Sequence, residues 1–170
     1  MKHLLKRMLT LMACILMLTV IPKSARSASV LAEGTCGTNA TWTLYANGKL
    51  VIGGSGAMED YASRNEQRWS AYREIITEIV VGKDITHVGK FAFAYSYNVK
   101  TVTFEDGSCL ESVGTAAVYY MLYVEEIILP ETVKNISGLA FAYCSKLGKV
   151  SYPETAVVHE NAFLNSACGK

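Results

Sequence analysis

Apolar side chains in the second half of the chain follow a repeated phrase. From Ile79, apolar residues fall at Val81, Ile85 and Val88 and then at Ala92-Phe93; from Ile127 the same offsets give Leu129, Val133, Ile136 and Ala140-Phe141. Ala92-Phe93-Ala94-Tyr95 recurs letter for letter as Ala140-Phe141-Ala142-Tyr143, and Ala162-Phe163 opens it a third time. A looser copy from Val102 (Phe104, Leu110, Val113, Ala117-Val118) is two residues longer through the turn Glu105-Asp106-Gly107-Ser108, and a last copy from Val150 (Tyr152, Val158, Ala162-Phe163) is one residue shorter. The origins lie 23, 25 and 23 residues apart. A period of this size belongs to solenoids, in which a unit cannot bury its apolar face alone and buries it against its neighbours. Each unit opens on a β-branched or aromatic run (Ile79-Val80-Val81, Val102-Thr103-Phe104, Ile127-Ile128-Leu129, Val150-Ser151-Tyr152) closed by Gly or Pro, which predicts short strands stacking in parallel. A second extended piece follows, and the Ala-Phe phrase then makes a tight turn with its ring in the core.

Ahead of the repeats the period changes. Trp42/Leu44 and Leu50/Ile52 alternate on either side of Asn47-Gly48, a strong hairpin dipeptide. Trp69, Tyr72, Ile76 and Ile79 are spaced mostly by three and four, which predicts a short amphipathic helix leading into the first strand. Together these predict a cap over the open end of the solenoid, where an apolar coil and a strand edge would otherwise face water. Earlier still, Lys2, Lys6 and Arg7 precede an uncharged apolar run from Met8 to Ile21, then Pro22 and the small-residue stretch Ser24-Ala25-Arg26-Ser27-Ala28. The run is too short to span a bilayer and reads as a removable secretory signal, cut after Ser27 or after Ala32. Cys14 lies in the middle of that run, which argues against a lipoprotein. The expected organisation is a signal over 1–32, a cap over 33–74 and about four repeats over 75–170, with no membrane span once the signal is removed.

The repeat phrase resembles the BspA-like branch of leucine-rich repeat proteins, whose units run strand, Pro or Gly turn, Val-x-x-Ile, then Ala-Phe. The resemblance reaches the opening module, through Gly34-Thr35-Cys36-Gly37, Trp42-Thr43-Leu44, Asn47-Gly48-Lys49-Leu50-Val51-Ile52, Gly54-Ser55-Gly56-Ala57-Met58 and Tyr61. It implies a β-rich leucine-rich-repeat solenoid from a bacterial secreted or cell-surface protein that binds host or microbial macromolecules. The Asn ladder of the ordinary leucine-rich phrase is absent, and the second unit replaces its Phe, reading Ala117-Val118-Tyr119-Tyr120-Met121-Leu122-Tyr123. Tyr95, Tyr97, Tyr119, Tyr120, Tyr123 and Tyr143 then fall at corresponding turns. They form either an aromatic binding strip, tyrosine giving large contact area with few rotatable bonds, or rings packed between coils.

Charge and candidate chemistry narrow the function. The whole chain is 51% hydrophobic with 16 Lys+Arg against 15 Asp+Glu. Five of the basic residues and none of the acidic ones precede Glu33, so the exported part is mildly acidic and gives no field for a nucleic-acid backbone. Cys36, Cys109, Cys144 and Cys168 show neither C-x-x-C nor zinc spacing. Cys144 and Cys168 sit at corresponding turns of adjacent units, which allows a disulfide or two buried thiols. His87 and His159 flank apolar positions and lack a metal or nucleophile pattern. Gly53-Gly54-Ser55-Gly56-Ala57 falls short of a nucleophile elbow, and Leu129-Pro130-Glu131-Thr132-Val133 of a sortase signal. Asn39-Ala40-Thr41 and Asn135-Ile136-Ser137 are glycosylation acceptors only in a cell that glycosylates them. The reading is a non-enzymatic module without metal or cofactor. It binds a protein ligand in adhesion, with Tyr119, Tyr120 and Tyr123 as candidate anchors, or serves as a structural or glycan-targeting accessory.

Overall fold

The structure is a computed structural model that describes residues 28–169; most of the expected signal segment lies outside the described residues. Three antiparallel strands open it: β1 (Val30–Thr35), β2 (Asn39–Tyr45) and β3 (Lys49–Ala57). The β2–β3 hairpin pairs Trp42 with Ile52 and Leu44 with Leu50, so the alternation read from the sequence places all four side chains in the core. Asn47-Gly48 forms the turn, with Gly48 at φ +85°. Strand β1 was not expected. It pairs Val30 with Tyr45 and Ala32 with Leu44, so the cap reaches back into residues assigned above to the signal. Its burial alternates from Leu31 to Thr35, but the inward positions are the small Ala32 and Gly34, the latter flat against the Trp42 indole, while Val30 and Leu31 are exposed, so the sequence shows no apolar alternation.

The cap is not laid over the first coil as a lid. β3 itself is the first rung. Its start, Lys49–Ile52, pairs in parallel with β4 (Glu78–Val81), and its end, Gly56–Ala57, pairs in parallel with β5 (Ile85–Val88). Gly54 and Gly56, at φ +75° and +80°, let one strand pass from one side of the solenoid to the next. From there each unit adds one strand to each side. The first side continues with β6 (Thr101–Phe104), β8 (Glu126–Ile128) and β10 (Lys149–Ser151), with β6 paired to β4 and β10 to β8. The second side runs β5, β7 (Ser112–Val113), β9 (Asn135–Ile136) and β11 (Val157–Val158), all parallel.

The Ala-Phe turns form a third side, stacked by hydrogen bonds that skip alternate residues. The amides of Phe91, Phe93 and Tyr95 donate to the carbonyls of Thr115, Ala117 and Tyr119, and those of Ala116, Val118 and Tyr120 donate to Gly138, Ala140 and Ala142. This geometry carries positive φ at two places in each of the first three turns, Phe91, Ala116 and Leu139 at one and Tyr95, Tyr120 and Tyr143 at the other, and at Asn165 in the last. Left-handed backbone costs a non-glycine residue roughly 1–2 kcal/mol, offset here by the bonds between rungs. Ala92, Ala117, Ala140 and Ala162 are fully buried, small side chains at the inward corner of each turn. Phe93, Val118 and Phe141 fill the interior beside them.

The predicted amphipathic helix is a shorter object. Ser70–Ile75 form a 3-10 helix that buries none of its own residues, while Trp69 and Ile76 at its two ends are fully buried. Only six residues separate those anchors, and that leaves no room for an α-helical face. Trp69 packs edge-to-face on Trp42 and Tyr61 (6.0 and 6.2 Å between centroids) and is stacked on Phe93 at 5.7 Å. The cap, the 3-10 segment and the first turn therefore meet at one indole. Gly89 closes the same joint, since a Cβ there would overlap the Glu59 carbonyl.

Candidate interaction surface

Five of the six tyrosines singled out from the sequence form one cluster on the third side. Tyr95, Tyr120 and Tyr143 share a register position, and their rings stack along the solenoid axis: 5.6 Å and 17° between Tyr95 and Tyr120, 5.5 Å and 16° between Tyr120 and Tyr143. The positive φ at that position turns all three side chains the same way. Tyr119, one residue earlier where the first and third units carry Ala94 and Ala142, leans on Tyr95, Tyr120 and Tyr143 at 5.3–5.6 Å. Tyr97 meets Tyr95 and Tyr120 edge-on. Burial, then the neighbouring phenols of Tyr95, Tyr143 and Tyr120, push the Tyr119 hydroxyl above its usual pKa, so it stays a protonated donor.

This is neither a row of open ring faces nor a closed core. Each stacked ring covers much of its neighbour's face; Tyr95, Tyr97, Tyr119 and Tyr143 are half-buried and Tyr120 is 37% exposed. The Tyr95 end is closed by Arg64, whose guanidinium carbon lies 4.6 Å from the ring centroid and whose Nη1 donates to the Tyr97 hydroxyl at 3.4 Å. Arg64 comes from the irregular stretch before the 3-10 segment, where no period points to it.

Tyr123 stands apart from the cluster. Three residues beyond the stacked position, it shares a column with Asn98 and Lys146, is 46% exposed, and carries the Lys146 ammonium over its ring at 4.7 Å. On the Asn98 side it borders a groove of about 430 Å3 lined by Glu74, Ile75, Thr77, Asn98, Lys100 and Tyr123. No sequence motif marks the groove, because part of its wall, Glu74 and Ile75, belongs to the 3-10 segment.

His87 is placed more interestingly than its sequence context suggests. Its Nδ1 lies 2.8 Å from the Ser112 Oγ on the adjoining strand and its Nε2 lies 3.4 Å from Asp60 in the loop after β3. Asp60 also accepts the Lys90 amide at 2.6 Å, and that bond, with His87, holds its carboxyl below the usual carboxylate range. The chain Asp60–His87–Ser112 thus crosses from the cap loop over two rungs. His159 lies further along the same side, in a groove of about 500 Å3 with Asn135, Val157 and Asn161. Ser55 is exposed on β3, paired opposite Asn39, and not on a strand-to-helix elbow.

All four described cysteines are thiols. Cys144 is fully buried, donates to the Val118 carbonyl at 3.0 Å, and is pushed up to about 12 by burial. Cys168 is half-buried on the adjoining turn, where the Ala167 amide donates to the Cys144 carbonyl at 3.3 Å. Cys36 is buried in the cap, its thiol likewise pushed up to about 12 by burial. Among the described residues no group of three or more His, Cys, Asp or Glu side chains is placed to hold a metal ion, and no helix is long and apolar enough to cross a membrane.

A three-sided solenoid with rungs of 23 to 25 residues, two ladders of short parallel strands and a stacked turn column defines a leucine-rich repeat protein. The model of the BspA type leucine rich repeat region matches residues 70–169, and the chain belongs to that family. Comparison with curated proteins finds none that matches. Among solved structures the chain is similar to a leucine-rich repeat protein from Eubacterium ventriosum ATCC 27560 (19% identity, TM-score 0.47, 76% of this chain and 47% of that one). It is also similar to a leucine rich cell surface protein from Faecalibacterium prausnitzii A2-165 (17%, 0.46, 83% and 47%) and to the pneumococcal vaccine antigen PcpA (18%, 0.48, 82% and 42%). The chain spans less than half the length of each of these structures. The repeat fold is generally a non-catalytic one.

Proposed function

We propose that this chain is an exported, surface-exposed repeat module that holds a protein ligand against its third side, in adhesion and without catalysis. The tyrosine column carries the reading. Five rings are held by one another before any partner arrives, so little side-chain entropy is lost on binding, and their part-exposed, hydroxyl-bearing surface suits a contact that combines apolar area with hydrogen bonds. The stacked faces are already occupied, which disfavours a flat sugar ring at this position. Export rests on the basic start and apolar run at the N-terminus, and family membership is consistent with a surface location.

The test is binding of the exported protein to immobilised extracellular matrix proteins alongside a glycan panel. Tyr119→Ala with Tyr120→Ala is expected to weaken protein binding by roughly thirtyfold, the size of a hot-spot loss of about 2 kcal/mol. Tyr120→Phe tests the hydroxyl alone. A double variant that binds like the parent places the ligand elsewhere. In this reading Asp60–His87–Ser112 is a tether between the cap loop and the second side. Its acid is 65% exposed and 3.4 Å from the ring, a loose hold for an imidazole acting as a base.

The cysteines give a further prediction. Near neutral pH, alkylation of the folded protein is expected to label exposed Cys109 and to leave Cys36 and Cys144 untouched, because burial both blocks access and keeps those thiols protonated. A Cys144–Cys168 disulfide would clip the last turn to the rung before it. Mass spectrometry after unfolding and alkylation separates the states: the bonded form exposes only Cys36 and Cys109, the reduced form also Cys144 and Cys168.

A further inference from the structure

We infer that the groove beside Tyr123 is a subsite for a neutral hexopyranosyl residue of a glycan. It is separate from the tyrosine column and does not rest on the protein-binding reading above.

Sugar recognition needs a flat aromatic face for the C–H side of a pyranose, and donors and acceptors around its edge for the hydroxyls. Aromatic faces carry negative potential, and the axial C–H bonds of a pyranose are weakly positive. Tyr123, 46% exposed and outside the stacked cluster, meets the first requirement. Tyr120 is stacked on both sides, Tyr95 lies between Tyr120 and Arg64, and Tyr143 has one face against Tyr120. Lys146 lies over one face of Tyr123, which pins the ring, and the groove lies on the opposite, Asn98 side.

The groove walls supply the rest. Glu74 and Lys100 both line it, and among the described residues neither makes a salt bridge, with the other or elsewhere. One offers a carboxylate able to accept from two adjacent hydroxyls, the other an ammonium with three donors. The Asn98 Nδ2 donates to the Glu74 carbonyl at 2.7 Å, which leaves the amide oxygen as a further acceptor. That bond and the bond from the Lys100 amide to the Thr77 carbonyl at 2.9 Å tie the two walls together, so the groove is formed without a ligand. Ile75, 44% exposed, adds an apolar contact for a hydroxymethyl arm. The volume of about 430 Å3 is within the ~300–1,000 Å3 of small-ligand clefts, enough for a sugar unit but not for a folded partner. One carboxylate set against one ammonium favours an uncharged sugar over a sialylated or sulfated one.

The experiment is saturation-transfer NMR on the full exported protein with maltotriose, cellotriose and tri-N-acetylchitotriose as neutral probes, and a sialylated and a sulfated oligosaccharide as charged ones. At least one neutral probe is expected to show transfer concentrated on ring C–H protons of one sugar unit. Tyr123→Ala is expected to abolish it and Tyr123→Phe, which keeps the face, to preserve it. Glu74→Gln and Lys100→Met are each expected to weaken the Kd by about tenfold, and both lie at the surface, so thermal melts check that the fold is kept. Tyr120→Ala is expected to leave sugar binding unchanged, which separates failure here from failure of the protein-binding reading. Absence of transfer to every neutral probe, binding of the charged probes only, or a Tyr123→Ala protein that binds like the parent would each overturn the proposal.

Discussion

Trp69→Ala is expected to cost roughly 3–5 kcal/mol, the range for removing a large buried aromatic, and to lower the urea midpoint of unfolding accordingly. Against a domain stability of ~5–15 kcal/mol this is a large fraction. The size follows from position. The indole is fully buried and touches rings from three separate segments: Trp42 on β2, Tyr61 in the loop after β3, and Phe93 in the first turn. Few atoms from elsewhere can move in, because Trp42 is fixed by its pairing with Ile52 and Phe93 by its bond to Ala117. Trp69→Phe keeps a ring in the slot between Trp42, Tyr61 and Phe93 and is expected to recover much of the loss. A Trp69→Ala midpoint equal to that of the parent would show that the cap does not depend on this ring.

Phe141→Ala is expected to cost a similar ~3–5 kcal/mol and Phe163→Ala clearly less, about 1–2 kcal/mol, although the two occupy the same register one rung apart. Phe141 is buried to 1% exposure. Phe163 is half-buried, its ring near-parallel to Phe141 at 5.5 Å and to Tyr152 at 5.9 Å. In a solenoid stability is carried by nearest-neighbour contacts, so a side chain flanked by rungs on both sides loses two interfaces and one in the last described rung loses fewer. Amide exchange resolves the difference by place. In Phe141→Ala, protection is expected to fall in β9 and β11 while β4 to β6 keep theirs; in Phe163→Ala the loss stays within the last turn and β11. Equal, global loss of protection in both variants would mean that the rungs unfold as one block.

How much of this was legible depends on whether a residue sits inside the period. Ile79, Val102, Ile127 and Val150 each open a unit, and the strands at all four follow from the spacing alone. Asn47-Gly48 marked its hairpin because only that turn type asks for those residues. Strand β1 was hidden: it is the edge strand beside β2, its inward positions are the small Ala32 and Gly34, and Gly34 is there for contact with Trp42. Turn geometry was hidden too, since Phe91, Ala116 and Leu139 adopt a backbone that sequence reading reserves for Gly and Asn. For the tyrosines the register was readable and the packing was not. Adjacent units bring Tyr95, Tyr120 and Tyr143 into line, but only the coordinates show that they stack on one another and that Tyr123, three positions on, does not join them. Arg64 and Asp60 come from loops and Glu74 from the 3-10 segment, all outside the repeat, and they reach their partners across the gap between cap and coil.

The joint at Trp69 also decides what light can report about this protein. The chain has two tryptophans, Trp42 and Trp69, with ring centroids 6.0 Å apart. Indole emission therefore samples the cap and first turn and nothing beyond them, while circular dichroism averages over every rung. Where the two signals change together, the solenoid melts as a unit. Where they part, the interval between them measures how far the last rungs can open while the first stay shut.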